Sequence, residues 1–161
     1  EESGKGILSS HLHSEGKYAK ELALEGPSTS RWVPEIIAEN NPDDESYYPY
    51  MNGQFVFKNA VVRFSEAIIE GLEANGLQKE DINMLIPHQA NLRIAQFIQR
   101  KFQLNDDQVY NNIMNYGNTT AASVIIALTE AWEKGKINDG DLVVLAAFGS
   151  GFTWGSVMVR W

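Results

Sequence analysis

Apolar residues recur along this chain in two rhythms, and the alternation between them predicts an α/β order. Val61, Phe64, Ile68 and Leu72 follow at three- and four-residue steps within residues 52–75, the spacing of one helical face, and Asn75-Gly76 supplies a C-terminal stop. Residues 91–102 repeat the spacing with Ile94, Phe97, Ile98 and Phe102, while Arg93, Gln96 and Arg100 occupy the opposite face. A third helix is expected over residues 120–134. Its stretch 121–131 is apolar nearly all round, which predicts burial on most sides. Short apolar runs at 6–13, 82–87, 109–113 and 142–148 read as strands. The unbroken run Leu142-Val143-Val144-Leu145-Ala146-Ala147-Phe148 implies a central strand covered on both faces. Residues 153–161 alternate, as a closing antiparallel strand would.

Residues 14–50 follow neither rhythm. Gly26-Pro27 and Asn41-Pro42-Asp43-Asp44 are turn signals, and Trp32, Val33, Ile36 and Ile37 suggest a short packed helix between them. So long an irregular connection predicts a functional loop or a segment that packs on something else. With 161 residues and 43% hydrophobic content, the chain suffices for one domain with a real core. No apolar stretch is long enough to span a bilayer, and the acidic start has neither a basic n-region nor an apolar h-region, so a cytoplasmic location and no membrane partner are expected. That start also runs into a strand without an initiation signal, as a fragment of a longer chain would. A net charge of -8 argues against nucleic-acid binding, which needs a basic surface. The absence of cysteine excludes disulfides and thiolate metal sites and leaves the compartment open.

Few positions offer chemistry. His11 and His13 alternate onto one strand face, but no third ligand lies nearby, so they read as polar residues at a strand end and no metal is assigned. His88 follows a strand and Pro87 and precedes a helix, a loop position that presents an imidazole to a pocket or holds a structural hydrogen bond. Asn118, after Gly117 and before a helix, has the placement of an N-cap. Gly149-Ser150-Gly151 is either a tight strand-to-strand turn or a place where backbone N–H groups approach an oxyanion. Neither a phosphate-binding loop nor a dinucleotide fingerprint is present.

Order and combination carry more than each motif alone. PHQANLRI (residues 87–94), GNTTAAS (117–123) and AFGSGFTWG (147–155) together resemble the C-terminal half of β-ketoacyl-acyl carrier protein synthase III, a condensing enzyme of fatty-acid synthesis. GILSSHLHSEG (6–16) and MNGQFVFK (51–58) extend the resemblance, leaving residues 17–50 poorly matched. It implies a thiolase-like α/β fold, a mixed sheet flanked by helices that forms the C-terminal half of a layered αβαβα arrangement. Residues 1–50 would then be the end of the N-terminal half plus an irregular connection, and 51–161 the catalytic half-domain.

By resemblance, His88 and Asn118 match the family's catalytic histidine and asparagine. Its cysteine nucleophile has no counterpart, so the chain alone is expected to be inactive. Gly149, Ser150 and Gly151 resemble the oxyanion turn. Gly53, Phe57, Ala90 and Asn91 fall at positions bordering the pantetheine channel, and Lys58 and Arg93 on the carrier-docking surface. Arg100, Lys101 and Arg63 either extend that basic island or are ordinary surface charges. The implied partners are acyl carrier protein, acyl-CoA, the missing N-terminal half and a second copy of the full-length protein. No metal or redox cofactor is implied, and the sequence leaves the charge on His88 open. A nucleophile-free binding or scaffold subunit is the alternative reading.

Overall fold

The computed structural model describes residues 4–25 and 45–161. The turn signals at 26–27 and 41–44 and the helix expected around Trp32, Val33, Ile36 and Ile37 lie outside the described residues. The elements in chain order are β1 (Gly6–Ser14), β2 (Leu22–Ala23), β3 (Tyr50–Met51), α1 (Gly53–Ala74), β4 (Met84–Pro87), α2 (Leu92–Phe102), α3 (Ile113–Tyr116), α4 (Ala122–Glu133), β5 (Leu142–Gly149) and β6 (Thr153–Arg160).

Strand alternation builds layers. β1, β6, β5 and β4 form one mixed sheet in that order, with β4 parallel to β5 and the other pairs antiparallel; β2 and β3 make a separate two-stranded ribbon. Because successive side chains point to opposite faces, Leu85 and Val144 pack with Phe64, Ile68, Ile98 and Phe102 of α1 and α2. Met84, Ile86 and Val143 pack on the other face with Ala127 and Ala131 of α4. The central sheet is therefore apolar on both sides, as the run at 142–148 predicts. On α1, a Cβ at Gly71 would collide with Met158 of β6, so glycine lets the helix close onto the sheet. Nearby, the buried Ser156 hydroxyl donates to the Ala67 carbonyl at 2.6 Å.

Two expectations are corrected. Residues 109–113 do not form a strand: Val109 makes an isolated parallel bridge to Leu85, and Ile113 opens the single turn of α3. Helix α4 is not buried on most sides. Only Ser123, Ala127 and Ala131 are buried, whereas Ile125 and Trp132 are 58% and 55% exposed. One sheet face covers one side of α4, and nothing among the described residues covers the other.

His11 and His13 pair with a carboxylate. His13 Nε2 lies 2.6 Å from Glu70 Oε2 and His11 Nδ1 3.3 Å from Glu70 Oε1, tying the edge strand β1 to α1. The bond from His13 holds the Glu70 carboxyl below its usual range, burial opposes, and the His11 bond assists. A carboxylate with a lowered folded pKa contributes stability above its ordinary value of about 4.3 and loses it as pH falls through the lowered one. Glu70 is 45% exposed, so screening keeps the contribution small. Glu70→Gln is expected to cost less than about 1 kcal/mol at neutral pH and to flatten the acid limb of a urea-unfolding series. An unchanged acid limb would remove Glu70 from that account.

Candidate active site

Parallel pairing of β4 with β5 brings two chain reversals to one edge of the sheet. Pro87 ends β4 opposite Ala146, and the His88 N–H extends the ladder by donating to the Ala146 carbonyl at 2.8 Å. Three residues past Ala146, β5 ends at Gly149 and enters the glycine turn. The carboxyl ends of such strands are where α/β sheets present loops to ligands.

The imidazole of His88 is half-buried, with Nδ1 2.6 Å from the Ser123 hydroxyl. Burial pushes its pKa below the usual histidine range, because the charged ring would lose hydration. Near neutral pH it is therefore an uncharged ring. The same Ser123 Oγ accepts the Gln89 N–H at 3.1 Å, so the first turn of α4 grips the His88 loop at two points.

Gln89, 2% exposed, makes a second tie. Its Nε2 donates to the Pro87 carbonyl at 2.7 Å, and its Oε1 accepts from the N–H groups of Asn112 and Ile113 at 3.0 and 3.1 Å. Asn112 is fixed in turn by donating from Nδ2 to Glu130 of α4 at 2.8 Å. Asn118 is thus bracketed: residues 112–113 before it and Ser123 after it are both bonded to the His88-Gln89 loop. The expected N-cap role is corrected, because Ala121 precedes α4 and offers no side-chain cap. The exposed Asn118 instead accepts the Thr120 N–H on Oδ1 at 2.9 Å, a local side-chain turn. Its Nδ2 has no partner among the described residues and remains available as a donor. Thr120 holds φ at 52°, a left-handed conformation that costs a β-branched residue about 1–3 kcal/mol and that recurs where function requires it.

At the glycine turn, Gly151 has φ of 121°, and a Cβ there would come within 2.9 Å of Thr153 Cγ2. Glycine is required at that point. Ser150 needs no left-handed backbone, so serine keeps its N–H there without strain. The Thr153 hydroxyl fastens the turn by donating to the Ser150 carbonyl at 3.0 Å. Phe152, buried behind it, meets Phe148 edge-to-face, Tyr18 at a tilt and Phe55 in a stack, at centroid distances of 4.9, 5.6 and 6.0 Å. Phe55 belongs to the first turn of α1, which Gly53 opens, and the half-buried Phe57 and exposed Lys58 follow on the same helix.

Other expected site residues divide by helix. Ala90 is half-buried, and Asn91 caps α2 by accepting the Arg93 N–H at 2.9 Å. Arg93 stands in the first turn of α2, next to the His88 loop, and Lys58 and Arg93 are both exposed. Arg100 and Lys101 lie in the last turn, about 10 Å along the axis from Arg93. There, cations also complement the helix dipole. Arg63 is not a free surface cation. It bonds Glu15 and Glu66 at 2.8 Å each and lies over the Trp154 ring.

Sequence reasoning gave no role to Gln89, Ser123 or Thr120. A signal existed for Ser123: it shares a four-residue spacing with Ala127 and Ala131, the stripe of small residues on which α4 meets the sheet. A hydroxyl on such a stripe must find a partner inside.

A mixed sheet layered between helices, with these loops gathered at its strand-end edge, defines the class: the fold is the C-terminal half of a thiolase-like condensing enzyme. The model of the 3-oxoacyl-[acyl-carrier-protein (ACP)] synthase III C-terminal family matches residues 72–161, and the chain belongs to that family. Beta-ketoacyl-[acyl-carrier-protein] synthase III of Rhodospirillum centenum is 44% identical over 158 residues, covering 98% of this chain and 45% of that protein. The protein of the same name from Caldanaerobacter subterraneus subsp. tengcongensis is 45% identical over 160 residues, covering 99% and 47%. The crystal structure of 3-oxoacyl-[acyl-carrier-protein] synthase III from Aquifex aeolicus superposes with a TM-score of 0.84 at 35% identity, covering 100% of this chain and 46% of that one. Such coverage takes in residues 17–50, where the motifs showed little resemblance. The chain spans about half the length of the curated relatives it matches.

Proposed function

We propose that this chain supplies the enolate-stabilising half of a 3-oxoacyl-[acyl-carrier-protein] synthase III, with residues 51–161 as its catalytic half-domain and the cytoplasm as its location. In the complete reaction, a cysteine outside these 161 residues takes the acyl group from acyl-CoA and releases free CoA. Malonyl-acyl carrier protein then loses carbon dioxide. The electron pair of the broken C–C bond enters the thioester, placing negative charge on its oxygen, and the resulting carbon nucleophile attacks the acyl-cysteine. The cysteine thiolate leaves, giving a 3-oxoacyl-carrier product.

The observation that supports this reading is the bracketing of Asn118 by bonds to the His88-Gln89 loop. It holds a neutral imidazole and a carboxamide on two linked loops, and preorganised neutral donors are what a developing oxyanion needs. Backbone N–H groups of the Gly149-Ser150-Gly151 turn would serve the acyl-cysteine carbonyl in the same way. Gly53, Phe57, Ala90 and Asn91 would border the pantetheine arm, and the exposed apolar side of α4 would be covered by the rest of a full-length protein that works as a homodimer.

The test is decarboxylation of malonyl-acyl carrier protein by the full-length protein and its His88→Ala and Asn118→Ala forms, with wild-type rates in either form ending that residue's role. Condensation by the 161-residue chain alone is expected to be absent. Lys58 and Arg93, joined by Arg100 and Lys101 farther along α2, would meet the acidic carrier. Arg93→Glu in the full-length protein should therefore weaken carrier binding at low salt by about tenfold, with the difference shrinking as salt rises. Equal affinities in a titration at low ionic strength would discard the docking assignment.

A further inference from the structure

Ser123 has one hydroxyl proton and two lone pairs to place, and its residue is 1% exposed, out of reach of bulk water. One lone pair is taken by the Gln89 backbone N–H, 3.1 Å away, a group that can only donate. His88 Nδ1, at 2.6 Å, is the other neighbour. Were Nδ1 protonated, it would donate into the second lone pair and leave the buried hydroxyl proton without any acceptor among the described residues. Burying an unpaired donor is unfavourable. With Nδ1 unprotonated, every group is satisfied: Gln89 N–H donates to Oγ, and the hydroxyl donates to Nδ1. Among the described residues, Nε2 has no partner.

The geometry points to Ser123 as a positioning residue: its hydroxyl donates to His88 Nδ1, fixes the imidazole proton on Nε2, and leaves Nε2–H as the donor available at the strand-end edge. The assignment rests on the reading of His88 given above and adds to it which nitrogen acts and what selects that nitrogen. The bond has a second consequence. Ser123 is on α4 and lies five residues past Asn118, so the contact that selects the tautomer also fixes the spacing between the two donor-bearing loops. A ring with the opposite tautomer would present a lone pair instead of a proton to a developing oxyanion, repelling the charge it should stabilise.

Side-chain ¹⁵N spectra of the histidine-labelled full-length protein, with the His88 signals assigned by their loss in His88→Asn, read the tautomer directly. An unprotonated Nδ1 and protonated Nε2 are expected; the reverse pattern overturns the proposal. In the decarboxylation assay, Ser123→Ala should lower kcat roughly 10- to 100-fold through lost orientation and tautomer bias. KM for malonyl-acyl carrier protein should stay within about twofold, while Ser123→Thr, which keeps the hydroxyl, recovers most of the rate. A wild-type kcat in Ser123→Ala overturns the positioning role. Should the alanine form fail to fold, Ser123→Cys, which nearly conserves volume but donates weakly, is expected to show the same loss of kcat, and a wild-type kcat there overturns the role equally. If His88→Ala itself decarboxylates at the wild-type rate while the spectra show Nε2–H, the tautomer assignment stands and the catalytic reading of His88 falls.

Discussion

His88→Ala in the full-length protein will slow malonyl decarboxylation by two to three orders of magnitude, about 3–4 kcal/mol of barrier, the usual result of removing one preorganised oxyanion donor. The size of the effect follows from the environment. His88 is half-buried between the end of β4 and the first turn of α4, so its N–H acts where water competes poorly. The imidazole adds no charge of its own, because burial keeps its pKa below the usual range. Stability should fall as well: deletion strands the Ser123 hydroxyl, for which a cost of about 1–3 kcal/mol is typical. The pH dependence has a definite sign. A histidine with a lowered folded pKa binds its proton more readily in the unfolded chain, so the fold loses stability as pH drops from about 6.5 toward the lowered value. His88→Ala removes that loss. Parallel rate and urea-unfolding measurements check both parts, and a rate drop of less than tenfold would contradict the donor role.

Phe152→Ala is expected to remove about 3–5 kcal/mol of stability, the range for deleting a fully buried phenylalanine ring. That is a large share of the 5–15 kcal/mol typical of a domain. Phe152 is 1% exposed and joins three elements: Phe148 of β5, Phe55 of α1 and Tyr18 of the short 3-10 helix Gly16–Glu21 that follows β1. It also directly follows Gly151, and its carbonyl accepts the Glu15 N–H at 2.8 Å. Loss of the ring should therefore loosen the glycine turn as well as the core, lowering both the urea midpoint and the acyl-transfer rate. Leu24→Ala, at a side chain 54% exposed, serves as the control and should move stability by no more than about 0.5 kcal/mol. Equal midpoints for the two variants would show that the aromatic cluster does not anchor the turn.

The helices and strands that carry strong periodicity were legible because burial of one face imposes a spacing on the residues themselves. Helix α1, helix α2, the central strand β5 and the β5–β6 hairpin all fall where their patterns place them. Residues 109–113 misled for the same reason: apolar Val109 and Ile113 satisfy a pattern, but Gln89 captures the N–H groups of Asn112 and Ile113 and no ladder forms. His11 and His13 were visible as a pair, whereas Glu70 stands 57 residues beyond His13 and meets them only across the β1–α1 contact. Pattern also misjudged α4, since its apolar residues run nearly all round while the sheet buries only the Ser123, Ala127 and Ala131 stripe.

Sequence alone therefore determined the strongly periodic helices and strands, which motifs stand at loop positions, and that cysteine chemistry cannot come from these residues. Local spacing and residue type suffice for that, because each is a property of neighbours along the chain. Tertiary structure alone decided that Ser123 bonds the imidazole of His88, that Gln89 splices the two motif loops, and that Arg63 is committed to Glu15 and Glu66. Those bonds join residues between 3 and 48 positions apart, and all but the Arg63–Glu66 pair span at least 23. At such separations the partner is chosen by how the layers pack and by the need to satisfy buried polar groups, neither of which leaves a period in the sequence.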